Sequence, residues 1–495
     1  MKLSAASVVL LSIASRSSAT ILRANPKECI IASDYDADTD FFPEKFVPDE
    51  TTDLLTITYH NTYKIVTNKF QNKTYLLYQC GTDPPADEIE SGDYHLVIPV
   101  PHQGKIGITE TPQITPMEQL GLRSEIAAYI GNPKLVSSPC LNLMSQEDEL
   151  DIIYFEQDPY NLTLSAQGIA SYLAAEEPEL IILAGPYGEA DAERHLAVAA
   201  SLERTAVATF DWLGLYAALF NLEGFANDII SETKSRYECS ANNAASITAD
   251  LADEDKPTVL WANFFSGIGW SVAECPTWDS AYYCEYAHHC GANIISRPEG
   301  VGFNQSYDGG KTLYWYLTDE EFLELGKDAQ TWIYPSQTFG EVYNEKKDLL
   351  DQFQAVKTME VYDTQGQGAF NWYEQRLGEY DVVALDFCTL VGTNNPNTVH
   401  RRRWFRNYYV EPIGSEGSCD ASEIDEPYEP QEAQCTPIGS EADSNLKNEE
   451  GGSSVEAKDE GNSVENKEAE NAASPGATKG FCAALLIASL ITGTW

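Results

Sequence analysis

Two histidines stand directly before a cysteine in the stretch YAHHCGANIIS, Tyr286 to Ser296, and Cys284 lies shortly upstream. Imidazole nitrogen and cysteine thiolate are ligands that Zn²⁺ prefers, so the stretch is typical of half a zinc site. The cysteines could instead form disulfides, with Cys275 as a nearby partner. His288 and His289 would then end a surface helix, or one of them would reach a ligand cleft. The compartment in which the chain folds decides between these interpretations.

Both ends of the chain resemble export signals. A basic N-terminus, an apolar run and the small residues Ser17–Ala19 indicate a secretory signal peptide over 1–19. The apolar residues 479–495, which follow small residues and a short polar spacer, favour a GPI-attachment signal; a short membrane anchor is the alternative. We therefore expect a protein that is secreted to the cell surface and held at the plasma membrane.

Ten of the eleven cysteines lie outside the terminal tail, an even number that favours disulfides in an oxidising compartment. Pairing of Cys284 and Cys290 in disulfides would remove the thiolates that a zinc site needs, and we expect no metal. Cys419 and Cys435 would close a small loop. Three N-x-S/T sequons fit a secreted glycoprotein and stand at Asn72, Asn161 and Asn304.

The formal net charge of −46 argues against nucleic acid or anionic lipid as a partner, because both are neutralised by Lys and Arg. The content of 43% hydrophobic residues is enough for one large core or two medium ones. Residues 413–478 are rich in Glu, Ser, Asn and Gly and poor in aromatics, so we expect an acidic disordered stalk there.

Upstream of the stalk, apolar runs of strand length alternate with helical patterns, which predicts an α/β fold. ELIILAG, Glu179 to Gly185, is typical of a buried parallel strand, and so is TVLWANFF, Thr258 to Phe265. The apolar spacing from Phe210 to Tyr237 predicts one long helix. Two α/β halves thus flank a single helix.

Six segments in this order resemble the class III periplasmic substrate-binding proteins, which capture cobalamin and ferric siderophores. They are GKIGITETPQITPMEQLGLRSEIAAYIG, AAEEPELIILAG, DWLGLYAALFNLEGFANDII, CGANIIS, LTDEEFLELGKDAQTWIYPS and FQAVKTMEVYD. The export signals, the cysteines and the many tryptophans of the second half are closer to the cobalamin acquisition proteins of diatoms and other algae, which resemble this class.

The resemblance implies two Rossmann-like lobes joined by one long helix, with ligand bound between them. It implies an N-terminal lobe over 27–207, a linking helix over 208–240 and a C-terminal lobe over 256–412. The expected function is capture of cobalamin (vitamin B12) for uptake, with a ferric siderophore as the alternative ligand. Uptake would need a membrane transporter or an endocytic receptor as partner.

Ligands of open parallel sheets bind beyond the carboxyl ends of the strands, and aromatic faces hold large ligands at low entropic cost. These rules select candidates from both halves, although each aromatic among them could equally belong to the core. The candidate ligand-binding residues are Thr109, Glu110, Thr111, Gln113, Tyr187, Glu189, Trp212, Phe264, Phe265, Trp270, Gly302, Phe303, Ser336, Gln337 and Trp372.

The dense basic stretch His400–Arg406 could meet an anionic siderophore, or it could form salt bridges within an acidic protein. We expect the second, which favours cobalamin. No nucleophile elbow, metalloprotease motif or P-loop is present, so we expect a binding protein without a cofactor and not an enzyme. A surface glycoside hydrolase, which would use two of the many carboxylates, is the enzyme alternative. An adhesion protein would show repeats, and the sequence has none.

Overall fold

A computed structural model describes residues 23–153 (except 32 and 34), 180–186, 192–305 and 314–440 (except 416). Several sequence-based expectations fall outside these ranges. They concern the signal peptide 1–19, the helix predicted at Gly168–Glu177, the sequon at Asn161, the candidates Tyr187 and Glu189, the stalk beyond residue 440 and the apolar tail 479–495.

The N-terminal lobe begins with a four-stranded sheet in the order β1-β2-β3-β4, in which only the β3–β4 pair is parallel. Alternate residues of β2 are buried, including Lys64, Val66 and Asn68, so this sheet covers the helices behind it. Its strands are β1 (Leu55–Tyr59), β2 (Tyr63–Asn68), β3 (Lys73–Gln79) and β4 (Leu96–Val100).

A second sheet of this lobe is entirely parallel, in the order β7-β6-β5-β8-β9. Every residue of β5 and β8 is buried, as expected for parallel strands covered on both faces. The strand predicted in ELIILAG is thereby confirmed. The elements are β5 (Ile106–Ile108), β6 (Ile126–Tyr129), β7 (Asp151–Ile152), β8 (Ile181–Ala184), β9 (His195–Ala197), and helices α1 (Ala86–Ser91), α2 (Ile114–Gln119) and α3 (Pro139–Gln146).

The single helix predicted from Phe210 to Tyr237 is wrong in its bounds. Asn221 adopts the left-handed conformation (φ 56°) and ends the first part, because its buried side chain donates to the Pro26 carbonyl (2.8 Å) and to Gln79 Oε1 (3.0 Å). The linking helix is therefore α6, 26 residues long. The helices here are α4 (Ala206–Phe210), α5 (Leu213–Phe220) and α6 (Glu223–Thr248).

The C-terminal lobe is built on a sheet in the order β13-β14-β11-β10-β15-β16-β17, with β12 also paired to β10. The strands β12, β10, β15 and β16 are parallel to one another. The strands are β10 (Thr258–Phe265), β11 (Gly269–Val272), β12 (Asn293–Ile294), β13 (Phe303–Gln305), β14 (Tyr314–Leu317), β15 (Thr331–Tyr334), β16 (Val361–Asp363) and β17 (Arg406–Asn407).

Seven helices of this lobe lie in the described ranges, and the stretch Lys346–Val356, whose spacing predicts one helix, forms parts of two short ones. They are α7 (Tyr282–His289), α8 (Asp319–Gly326), α9 (Phe339–Glu345), α10 (Lys347–Leu350), α11 (Gln354–Lys357), α12 (Asn371–Glu374) and α13 (Tyr380–Leu390). One hydrophobic cluster contains residues of both lobes and of α5, such as Ile108, Leu215 and Val383. The fold is thus α/β, with two lobes joined through one helix and a shared core.

Residues 417–440 pack on the folded body, so the stalk boundary expected at residue 413 is wrong. Cys419 is bonded to Cys140 and Cys435 to Cys239, which also contradicts the small loop predicted between Cys419 and Cys435. The two bonds tie this acidic segment to α3 and α6, and Ala433 is buried beside α13. Composition failed here because covalent bonds replace apolar burial as the restraint.

Candidate binding site between the lobes

The loop that follows β5 is fixed to the end of β8. Thr109 Oγ1 donates to the Leu183 carbonyl (3.2 Å) and accepts from the Gly185 N–H (3.0 Å). Gln113 Oε1 accepts from the backbone N–H groups of Thr109 (2.9 Å) and Glu110 (3.3 Å). The structure therefore brings together the predicted candidates Thr109, Glu110, Thr111 and Gln113 at the carboxyl end of the parallel sheet.

Glu110 lies against Gly185, directly after β8. A Cβ added at Gly185 would collide with the Glu110 carboxyl group, so only glycine allows the carboxyl to lie there. Burial raises the pKa of Glu110 to about 7, and Glu110 has no ion pair within the described ranges. Its negative charge in turn contributes to the raised pKa values of Tyr129 and Tyr216.

The C-terminal lobe meets this loop through α12 and the turn Gln375–Glu379. Thr115 Oγ1 donates to the Glu374 carbonyl (3.0 Å), Gln119 Nε2 donates to the Gly378 carbonyl (3.2 Å), and the Ser137 N–H donates to Glu374 Oε2 (2.8 Å). We call the facing segments 109–119 and 371–379, together with Ser137, the lobe interface. Gly378 is required there because a Cβ would lie 2.7 Å from Thr115 Cγ2.

Within the described ranges, five buried polar atoms of the lobe interface have no hydrogen-bond partner. Each belongs to a residue that is no more than 2% exposed. Such atoms are rare in folded proteins because an unsatisfied buried donor or acceptor costs about 1–3 kcal/mol, so a ligand or an ordered water is expected to supply the partners. The atoms are Gln113 Nε2, Gln119 Oε1, Ser137 Oγ, Asn371 Oδ1 and Arg376 Nε.

Arg376 is placed between aromatic rings. Its guanidinium lies 4.4 Å from the centre of the Tyr282 ring and 4.8 Å from that of Trp372. Trp372 is itself 1% exposed and packs beside Trp261 and Phe405. The candidate Trp372 thus lies directly behind the lobe interface, as a wall of the Arg376 environment.

The aromatic candidates Trp212 and Trp270 are core residues, which contradicts the expectation that they face a ligand. Trp270 is fully buried, stacks on Phe322 (4.0 Å between centroids) and donates to Asp319 Oδ1 (2.8 Å). Trp212 is 1% exposed and donates to Glu203 Oε1 (3.1 Å). The expectation for Trp270 failed because β10 continues into the β10–β11 hairpin, so Trp270 lies on a sheet strand and not beyond a strand end.

The remaining candidates of the second lobe lie at several places. Phe265 is buried against Tyr316, whereas Phe264 is half-buried under the Lys346 ammonium group. Gly302 has φ 83° and a Cβ there would approach the Tyr316 carbonyl, and the exposed Phe303 stacks on the Tyr316 ring.

Ser336 and Gln337 follow β15, close to α12. Ser336 is buried and its Oγ lies 3.3 Å from Thr338 Oγ1. Gln337 Oε1 is a buried atom without a hydrogen-bond partner. Tyr373 Oη donates to the neighbouring Pro335 carbonyl (3.5 Å), which connects this loop to the lobe interface. Both candidates therefore lie beside the interface.

Sequence reasoning missed the polar residues that complete the lobe interface. Asn371, Glu374 and Arg376 had one signal, a polar set within the stretch AFNWYEQRLGEYDVVALDF, of which only Trp372 was selected; Gln119 and Ser137 had none. Their side chains become adjacent only through the packing of one lobe on the other. The missed residues are Gln119, Ser137, Asn371, Glu374 and Arg376.

The stretch YAHHCGANIIS forms no zinc site. Cys284 is bonded to Cys275, and Cys290 to Cys388, so the thiolates are consumed. His289 stacks on Tyr237 (3.7 Å), and burial lowers its pKa to about 3, while His288 is exposed at the end of α7. No cluster of three or more metal-binding side chains occurs among the described residues.

Four of the five basic side chains of the stretch His400–Arg406 pair with carboxylates within the fold, and Arg401 is exposed. His400 pairs with Asp386, Arg402 with Glu411, Arg403 with Glu379 and Arg406 with Asp363. The expectation of salt bridges is confirmed, and none of these four side chains is available as a cleft cation.

Comparison with known proteins gives distant matches. No family model matches the sequence. An uncharacterized lipoprotein of Methanocaldococcus jannaschii is 25% identical over 222 residues, which are 44% of this chain; the match spans only 46% of that relative. Within the described part of the chain, no helix has the length and apolar character needed to cross a bilayer.

Three solved structures illustrate the structural matches. A periplasmic heme binding protein from Pseudomonas aeruginosa has 12% identity and a TM-score of 0.41, covering 61% of this chain and 96% of its own. The periplasmic vitamin B12 binding protein of Vibrio cholerae has 13% identity and a TM-score of 0.37, and the match covers 58% of this chain and 96% of that protein. An ABC-type Fe³⁺-hydroxamate transport system from Saccharomonospora viridis has 12% identity and a TM-score of 0.40, and the match covers 58% of this chain and 93% of that protein.

Proposed function

We propose that this protein is an exported substrate-binding protein that captures cobalamin at the lobe interface for uptake. The observation that carries the proposal is the set of five buried, unpartnered polar atoms on both sides of that interface. A bound molecule with several hydrogen-bonding groups would satisfy them, since a few precisely placed polar groups in apolar surroundings are typical of ligand sites.

Charge supports cobalamin over a ferric siderophore that carries several negative charges. Four side chains of the dense basic stretch already pair with carboxylates of the protein. The lobe interface contributes one guanidinium group, that of Arg376. A corrinoid has a large apolar ring and many amide groups, which suit aromatic walls and amide-bearing side chains such as Gln113 and Asn371.

The five disulfides support export, because such bonds persist in oxidising compartments. Attachment at the plasma membrane, by a GPI anchor or a short apolar segment, is part of the proposal, as is glycosylation at Asn72 and Asn304. Asn72 is exposed in the turn between β2 and β3, and Asn304 is exposed on β13. Delivery to the cell interior would need a transporter or an endocytic receptor.

Titration calorimetry of the secreted protein with cyanocobalamin and with a ferric hydroxamate tests the proposal. We expect saturable 1:1 binding of cyanocobalamin and none, or far weaker binding, of the siderophore. Tight binding of the siderophore alone would indicate iron capture as the function. Binding of neither ligand would contradict both the cobalamin and the siderophore proposals.

One arrangement favours glycoside hydrolysis as a second candidate. Glu110, with a pKa raised to about 7, and Glu374 both lie near Tyr129 and contribute to its raised pKa. A carboxyl that stays protonated near neutral pH beside a second carboxylate is the arrangement of a glycosidase. Release of 4-nitrophenol from model glycosides, lost in Glu110→Gln, would support this candidate, and absence of turnover would exclude it.

A further inference from the structure

Arg376 stands apart from the other buried basic side chains. Four Lys or Arg residues in the described ranges are buried, and three of them contact a carboxylate: Lys64 contacts Glu223, Arg123 contacts Glu118, and Arg406 contacts Asp363. Arg376 forms no ion pair in this part of the chain, and its Nε has no hydrogen-bond partner. Among the described residues, Arg376 is thus the one buried cation without a carboxylate partner.

The aromatic contacts do not offset this cost. The contacts with the Tyr282 and Trp372 rings stabilise the guanidinium, but removing an ion from water costs more than such cation–π contacts return. The two rings accept no conventional hydrogen bond from the guanidinium, and its buried Nε has no partner among the described residues. A planar fork of N–H donors fits the two oxygens of a carboxylate or phosphate.

The position of Arg376 gives that partner an approach. Arg376 belongs to the turn Gln375–Glu379, whose Gly378 carbonyl accepts from Gln119 across the lobe interface. Asn371, with its unpartnered Oδ1, lies one helical turn before it. Arg376 therefore belongs to the turn that contacts the N-terminal lobe, where a ligand between the lobes would lie.

We propose that Arg376 binds an oxyanion of the ligand, and that in a corrinoid this oxyanion is the phosphodiester of the nucleotide loop. The identity of the ligand rests on the proposed function; the oxyanion site itself does not. A single cation matches the single negative charge of a phosphodiester.

The test compares two corrinoids on three variants. Dicyanocobinamide lacks the nucleotide loop and its phosphodiester, while cyanocobalamin carries both. We expect Arg376→Met to lower the affinity for cyanocobalamin roughly 10- to 100-fold, the usual range for a lost charge-assisted hydrogen bond, and to leave cobinamide affinity unchanged. Arg376→Lys should recover part of the loss, because it keeps the charge without the fork. An equal loss for both corrinoids, or no loss for cyanocobalamin, would overturn the assignment.

Arg402→Met is the matched control, because Arg402 also stacks on an aromatic ring, that of Tyr362, but already has Glu411 as its partner. It should not change the affinity for either corrinoid. If the wild type binds neither corrinoid, the proposed function fails and a second measurement decides the oxyanion site. At matched ionic strength, inorganic phosphate should raise the Tm of the wild type and of Arg402→Met relative to chloride, but not that of Arg376→Met. An equal response of all three proteins would overturn the site.

Discussion

Two buried cations, Lys64 and Arg376, have opposite surroundings. Lys64 is fully buried between the first sheet and the linking helix; its ammonium group donates to the Ala218 carbonyl (2.8 Å) and Asn221 Oδ1 (2.7 Å) and pairs with Glu223. Arg376 is equally inaccessible and has two aromatic rings but no carboxylate among the described residues.

This difference in surroundings indicates that Lys64 contributes to stability, whereas Arg376 is free to contribute to ligand binding. Around Lys64 every charge and donor has a partner, so the cluster fixes how the first sheet, the α5 terminus and α6 meet. Around Arg376 the described residues supply no carboxylate, which lowers stability and is typical of sites where a group is left free to bind a ligand. The two regions should therefore respond in opposite ways when the cation is removed.

Lys64→Met should have the largest effect. Removing one partner of a buried pair leaves the Glu223 carboxylate uncompensated, at a cost of about 3–5 kcal/mol in the free energy of unfolding. Urea unfolding measures this change. Lys69→Met, in the exposed turn that follows β2, is the control and should change stability by less than about 0.5 kcal/mol. A loss below about 1 kcal/mol for Lys64→Met would show that the pair is not structural.

Trp270→Phe should have an intermediate effect, because it removes the hydrogen bond to Asp319 and part of the stacking surface on Phe322. We expect a loss of about 1–2 kcal/mol in unfolding free energy. Ligand affinity of the folded protein, measured by calorimetry, should not change. A marked fall in affinity with unchanged stability would restore Trp270 to the binding site.

Arg376→Met should leave the free energy of unfolding unchanged or higher, since an apolar side chain of similar length replaces an uncompensated ion. Its control is Arg123→Met, which breaks the buried pair with Glu118 and should cost about 3–5 kcal/mol. Urea midpoints of the two variants, at equal m-values, give the comparison. A loss above about 2 kcal/mol in Arg376→Met would assign Arg376 to the core.

Glu110→Gln should change only the pH dependence of stability. Because the folded pKa of Glu110 is about 7 and its ordinary value is 4.5, the native state keeps a proton that the unfolded chain releases. This stabilisation is complete below pH 4.5 and is lost as the pH rises through 7. Wild type should therefore lose more stability than Glu110→Gln between pH 5 and pH 8, by urea unfolding. Glu320→Gln, on the exposed face of α8, should behave as wild type, and parallel curves for all three would contradict the raised pKa.

Periodicity predicted much of the fold. The buried strands β8 and β10 were found from their apolar runs, because parallel strands covered on both faces contain little else. The helix break at Asn221 was not found, since it depends on contacts with Pro26 and Gln79 that are distant in sequence. The disulfide partners of Cys419 and Cys435 were missed for the same reason.

Only the part of the candidate site that belongs to the N-terminal lobe was predicted from the sequence. The strand-end rule located Thr109 to Gln113, because the loop after a parallel strand lies at the sheet edge wherever the strand is. The opposing residues Asn371 and Arg376 lie on a short helix and a turn, and their role depends on which partners they lack. An absent partner leaves no pattern in a sequence.

Hydrogen exchange with and without cyanocobalamin tests most directly whether ligand binds at the lobe interface. We expect added cyanocobalamin to slow amide exchange in both facing segments, 109–119 and 371–379, and to leave the β1–β3 sheet unchanged. Binding without protection of either segment, or with protection confined to one lobe, would contradict the account.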